Sequence, residues 1–195
     1  MNPRILLLII LIPILFLLNL LLGSVHIPAA DVLQVLLHPD GSSTSYIVTA
    51  SRLPAAITAT LAGASLATAG LLLQTTFHNP LAGPSILGIT SGANLGVAIV
   101  MLALGGTVTA GMHTWSGHLA VVVAALAGSL LVMALLLLFS SLLKNSLLLL
   151  ITGIMTGYIT SSAITLLNLL ASAESIQGFV LWGMGSFNSV SLQQL

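Results

Sequence analysis

Cysteine is absent from the chain, so no disulfide, thiolate metal site or thiol nucleophile can be built from it. Charge is nearly as scarce: Arg4, Arg52 and Lys144 are the basic residues, and Asp31, Asp40 and Glu174 the acidic ones. A water-soluble domain needs a charged shell that six such residues cannot supply. Three bases cannot neutralise a phosphate backbone either, which argues against nucleic acid as a partner. What the chain has in abundance is apolar surface, with 57% hydrophobic residues and a mean hydropathy of +1.20. Most of it must therefore meet lipid or other protein.

No charged residue lies between Arg52 and Lys144, a stretch that can hold several membrane crossings at roughly 20 apolar residues each. Hydrocarbon offers no hydrogen bonds, so backbone groups inside it must pair within the chain, as they do in a helix. A membrane β-barrel would alternate polar and apolar residues, whereas residues 135–139 and 147–151 are continuously apolar. The predicted fold is an all-α, polytopic transmembrane helical bundle. It forms a single domain over residues 1–195, with about five spans near residues 5–22, 55–77, 86–104, 118–140 and 147–170. The first span follows a basic residue, as a cleaved signal peptide does, but the apolar region of a signal peptide is usually about 7–15 residues, shorter than this run.

Between the first two spans, residues 23–51 turn polar and read as an external loop holding a short helix. The second span opens at Arg52-Leu53-Pro54, where proline suits a first helical turn. Along it Ala59, Gly63, Ala67 and Gly70 recur at three- and four-residue intervals, continued by Gln74, and form a face that another helix can approach closely. Such a face serves helix packing or a pathway wall. Next, His78-Asn79-Pro80-Leu81-Ala82-Gly83-Pro84 must break the helix within or near membrane depth. Irregular backbone of that kind is tolerated where protein covers it or water reaches it, so it suggests a pathway wall or a gate. Gly88, Gly92 and Gly96 then repeat every four residues, and Gly153, Gly157, Ser161 and Thr165 line one side of the fifth span.

Other chemistry finds little support. The histidines at 26, 38, 78, 113 and 118 have no HExxH spacing and no acid pair beside them, so no metal site is expected, and no cofactor. No Ser-His-Asp order, P-loop or dinucleotide glycine motif is present, so the chain is not expected to be an enzyme. A secondary carrier or channel could also use broken helices and glycine faces. Carriers coupled to protons or sodium often hold an ionisable residue in a span, and no Asp, Glu, Lys or Arg stands in these. With the N-terminus cytoplasmic, Arg4 and Lys144 lie inside while Arg52 and all three acids lie outside, the orientation that basic residues favour.

The run from Gly63 through Ala67 to Gly70, then Gln74, Asn79-Pro80-Leu81-Ala82, Pro84, Leu87-Gly88 and Ser91-Gly92-Ala93, resembles the signature of the FecCD-type permeases. Arg52-Leu53-Pro54 upstream, and Gly153, Gly157 and the segment 182–186 downstream, resemble the same family in the same order. The resemblance implies a membrane-spanning permease of an ATP-driven importer for iron-siderophore, heme or cobalamin, in a bacterial inner membrane. It implies about ten spans, of which this chain corresponds to the first half, and a homodimer in which a second permease copy helps enclose the pathway. Separate cytoplasmic ATP-binding subunits would supply the energy and an external, periplasmic substrate-binding protein the cargo. The family's coupling loop and helix fall later than residue 195, so a truncated, non-transporting fragment is a further reading.

Carried over by residue, the turns at Asn79, Pro80 and Leu81 and at Asn145 and Ser146 resemble the family's two cytoplasmic gates. Asn145 and Ser146 are equally the residue types that cap helices. Arg52 resembles an external residue that docks the binding protein through carboxylates; an interfacial, snorkelling arginine is the other reading. Its companion position is Ala55, where some relatives carry a second arginine.

Overall fold

The computed structural model describes residues 3–103, 115–142, 146–187 and 190–192, the side chains of residues 115, 146 and 147 excepted. Among the described residues the regular structure is entirely helical. In chain order the helices are α1 (Pro3–Leu21), α2 (Ala29–Leu37), α3 (Ser43–Thr76), α4 (Ile89–Ala103), α5 (Trp115–Leu142), α6 (Ser146–Leu170) and α7 (Ala173–Gly183). Helices α1, α3, α5 and α6 are long and apolar enough to cross a membrane, and α4 is a shorter apolar helix. The polar connection expected at residues 105–117 lies mostly outside the described residues.

Two compact units divide the chain, and the boundary falls between Leu66 and Ala67, within α3. In the first, Leu20 at the end of α1, Ile27, Val32 and Val35 of α2, and Val48 and Ala56 of α3 form one buried cluster. Phe16 and Leu21 pack against it, and the rest of α1 is bare, with Leu7 at 62% exposure and Ile12 at 58%. In water such a surface would be untenable; in hydrocarbon it costs nothing.

Helix α3 begins nine residues before the Arg52-Leu53-Pro54 triplet at which the sequence predicts its start. Ser42 caps it by accepting a hydrogen bond from the Ser45 amide at 3.1 Å, and Asp40 accepts one from the Ser42 amide at 3.1 Å. Hydrogen bonds from the Ser42 hydroxyl and the Ser42 amide hold the Asp40 carboxyl below the usual carboxylate range. A π-helical turn over Ile47–Arg52 then carries the chain into the apolar stretch. Its final bond runs from the Leu53 amide to the Val48 carbonyl, so Pro54 falls where the regular α-ladder resumes. A residue without an amide hydrogen therefore sits at a junction of two ladders, which is why a proline inside α3 does not end it.

In the second unit, Leu73, Ala82, Leu87, Val132, Leu136 and Leu149 form one core. Val97, Met101 and Val121 form another, against which Phe179 and Trp182 of α7 pack with their rings stacked at 6.2 Å. Helix α7 itself starts at Ser172, whose hydroxyl accepts from the Ser175 amide at 3.3 Å. Helix α4 is seated between α5 and α6 by backbone-to-backbone approach. A methyl group built on Gly96 would overlap the Ala124 carbonyl oxygen, and one on Gly128 would overlap the Gly92 carbonyl oxygen. Without a hydrophobic force between helices in lipid, such close contact supplies the packing attraction.

Gly96→Ala is therefore expected to destabilise the bundle by about 1–3 kcal/mol, the usual range for overpacking. Gly63→Ala, where an added methyl meets no described atom within 4 Å, should stay within about 1 kcal/mol of the parent. Unfolding by sodium dodecyl sulfate in mixed micelles, followed by circular dichroism, measures both.

Candidate functional site: the turn after α3 and its glycine seam

The backbone from His78 to Gly88 leaves the α-helix without abandoning its polar groups. At the end of α3 the Asn79 amide donates to the Gln74 carbonyl at 3.1 Å and the His78 amide to Thr75 at 3.4 Å, while His78 takes a left-handed φ of 47°. That pairing closes the helix end in the way a Schellman cap does, with histidine in the place glycine usually fills. Asn79 then starts a tight turn: its Oδ1 accepts from the Leu81 amide at 2.9 Å and its carbonyl from the Ala82 amide at 3.1 Å. Asparagine first and proline second is the composition such a turn favours, because proline presets its φ and the asparagine side chain serves an otherwise unmet amide.

A second closure of the same kind follows. The Ile89 amide donates to Pro84 at 3.0 Å and the Gly88 amide to Ser85 at 3.3 Å, with Gly88 left-handed at φ 76°. Between the two closures Ala82 is 3% exposed and Leu87 2%, both anchored in the core, while Leu81 is 62% exposed at the tip beside an exposed Pro80. The result is a non-helical segment with a hydrogen-bonded closure at each end, its base pinned and its apolar tip presented outward.

Glycine at 88 is needed twice, for its φ and for space, since a methyl there would stand 2.7 Å from the Gly153 carbonyl oxygen. Gly153 reciprocates: a methyl on it would lie 2.8 Å from the Leu87 Cα. One helical turn along, Gly157 faces the Ser91 hydroxyl. The structure thus brings Gly88, Gly153 and Gly157 into one seam against α6 directly behind the turn, and sets Gly92 and Gly96 in a second seam against α5. Gly128 belongs to that second seam, and the Ala124/Gly128 four-residue spacing was the signal that could have revealed it. Gly63 and Gly70 meet no described atom within 4 Å, and the Gln74 side chain is exposed.

Asn145 lies outside the described residues, and Ser146 begins the α6 helix. Arg52 departs from the docking reading. It is 7% exposed, and its Nη1 donates to the Leu20 carbonyl at 2.8 Å and the Leu21 carbonyl at 3.0 Å, while Nη2 donates to the Val25 carbonyl. A helix C-terminus presents unpaired carbonyls and the negative end of its dipole, and the guanidinium of Arg52 answers both. A docking cation must be open to a partner's carboxylates; here three hydrogen bonds from the guanidinium run to backbone carbonyls of its own chain. Gly23 leaves it room, since a methyl there would lie 2.8 Å from Nη2.

The pattern of the FecCD transport family matches residues 8–195. The chain belongs to the FecCD transport family. Vitamin B12 import system permease proteins BtuC are among its relatives. That of Salmonella arizonae is 33% identical over 144 residues, covering 73% of this chain and 41% of the relative. That of Klebsiella pneumoniae is also 33% identical, with 74% and 41% covered. This FecCD chain therefore matches about two fifths of the length of these curated relatives. A solved structure described as an inward-facing conformation of a metal-chelate type ABC transporter is 28% identical. It superposes with a TM-score of 0.69, covering 98% of this chain and 56% of the other.

Removing the Arg52 donors leaves the α1 carbonyls unmet. Arg52→Met is expected to lose on the order of 2–4 kcal/mol. Arg52→Lys should lose less, since one ammonium can still serve part of the carbonyl set. Proteolysis of residues 23–42 in detergent, alongside thermal unfolding, reads out both variants.

Proposed function

We propose that this chain is the N-terminal portion of a permease subunit of an ATP-driven importer in a bacterial inner membrane, carrying cobalamin, heme or an iron-siderophore. The observation that carries the reading is the turn at residues 78–88, whose pinned base and exposed Pro80–Leu81 tip suit a gate segment. In a family of transport proteins, a rigid irregular segment at the end of a spanning helix is what a gate requires: it must hold its shape against lipid and pressure from cargo. With the N-terminus cytoplasmic, α3 runs inward and this turn stands at the cytoplasmic mouth, as does the connection at Asn145 and Ser146.

The uncovered small face of α3 supports the same reading. Gly63, Gly70 and Gln74 would face the pathway, or the helices and second permease copy that enclose it. Two ATP-binding subunits at the cytoplasmic side and an external substrate-binding protein complete the proposed assembly. The chain's own part is to open and close a passage, with hydrolysis carried out by the partner.

Extended to the length of its relatives, the tagged permease is expected to co-purify with an ATP-binding subunit from mild detergent, and residues 1–195 alone are not. Capture of that subunit by the short chain would overturn the placement of the coupling element beyond residue 195. In cells lacking their own permease, the extended protein should restore uptake of one of the three cargo classes. Asn79→Ala should then change that uptake several-fold at unchanged protein level. For orientation, a cysteine at Asp40 should react with an impermeant maleimide in spheroplasts and one at Gly83 only after permeabilisation; the reverse pattern would place the N-terminus outside.

A further inference from the structure

Helix α2, with His38 at its C-cap, carries three kinds of surface. At about 100° per residue, Val32 and Val35 fall on one side, Leu33, Leu36 and Leu37 on a second, and Asp31, Gln34 and His38 on a third. The contacts agree with that division. Val32 and Val35 are each 4% exposed and sit in the cluster with Leu20, Ile27, Val48 and Ala56. Leu33 is 61% exposed, Leu37 67% and Leu36 38%, and the polar third is exposed as well.

A helix wholly in water would not leave three leucines bare on one sector, and a helix wholly in lipid would not hold Asp31. The helix is also too short to cross, at about 13 Å against the roughly 30 Å of a hydrocarbon core. Its position resolves the conflict. The Leu20 cluster fastens it beside the last turn of α1, where a spanning helix reaches the edge of the bilayer. Around that point Leu18, Leu22 and Val25 are exposed too, so the leucine sector of α2 continues the apolar surface of α1.

We propose that α2 is a membrane-interface helix, with the Leu33–Leu36–Leu37 sector lying at the boundary of acyl chains and headgroups while Asp31, Gln34 and His38 face water. Interface helices held by charge carry lysine or arginine on their polar face. This one has none, and is held instead by its packing on α1 and α3 and by the Arg52 bonds to the loop before it. Contact with lipid is then by apolar burial and indifferent to headgroup charge. The leucine sector contains no hydrogen-bonding side chain with which a protein partner could fix an orientation.

The natural absence of cysteine permits a direct test in the full chain reconstituted into phosphatidylcholine vesicles. Single cysteines replace Leu33, Leu37, Gln34 or His38 and react with a charged maleimide or carry a bimane label. Positions 33 and 37 are expected to react at least five-fold more slowly than 34 and 38, and to be quenched by lipids brominated near the headgroup. Equal reaction at all four positions would overturn the proposal, and would mean that the leucines await a protein partner absent from the vesicles. Protection of 33 and 37 without lipid quenching, lost on diluting the protein in the bilayer, would also overturn it and assign the face to a second copy. On the unsubstituted chain a bilayer-partitioning diazirine should label Leu33 and Leu37, while a water-soluble one labels Gln34; labelling of the leucines only from water would count against the interface position.

Discussion

The inability of hydrocarbon to accept or donate hydrogen bonds governs nearly every local feature of this chain. Threonines on the long helices bond back to their own carbonyls, as Thr58 does to Pro54 at 2.7 Å and Thr152 to Leu148 at 2.8 Å. They are thereby satisfied without a neighbour. Where the helix must stop, the same demand produces two successive closures, at His78 and at Gly88, that leave no unmet amide at the start of the irregular stretch. Where α1 ends, the demand falls on Arg52. A charge that would be costly in an apolar setting is held there by three carbonyls that would otherwise lack donors.

Lipid also removes the force that gathers helices in water, since a leucine is no worse placed against an acyl chain than against another leucine. The second unit answers with proximity. Glycines on α4, α5 and α6 let backbones meet directly, and the turn after α3 is keyed into that seam by Gly88 and Leu87. Such an arrangement is rigid, because side-chain hops cannot loosen a contact made by backbone atoms. Where no glycine or core residue makes a contact, as along most of α1 and the middle of α3, the surface stays bare.

The bare surfaces differ in character. On α1 they are large and aliphatic, suited to lipid. On the middle of α3 small residues, Gly63, Ser65 and Ala67, are exposed beside Leu61 and Leu66, and suit an approaching backbone or a pathway. On α2 they are split between leucine and polar groups, which fits only the boundary between the two media. One helix length of sequence thus distinguishes three environments by side-chain size and polarity.

The helical membrane fold and the position of the helix break could be read from composition and from the Asn79-Pro80 and Gly83-Pro84 breakers, because hydrocarbon permits so few backbone solutions. The glycine periodicity of α4 and α6 likewise announced close packing, since a four-residue repeat of small residues has one geometric use. Partners were another matter. The Ala59–Gly70 stripe looks as strong in sequence as the Gly88–Gly96 stripe, yet among the described residues Gly63 and Gly70 face no neighbour while Gly88, Gly92 and Gly96 are in contact with facing backbone. The packing of α7 on Val97, Met101 and Val121 and the burial of Arg52 were likewise settled by contacts distant along the chain. Periodicity fixes which residues share a face, but only the tertiary arrangement decides what that face meets, and Arg52 reads as an exposed cation until the carbonyls of Leu20, Leu21 and Val25 are brought to it.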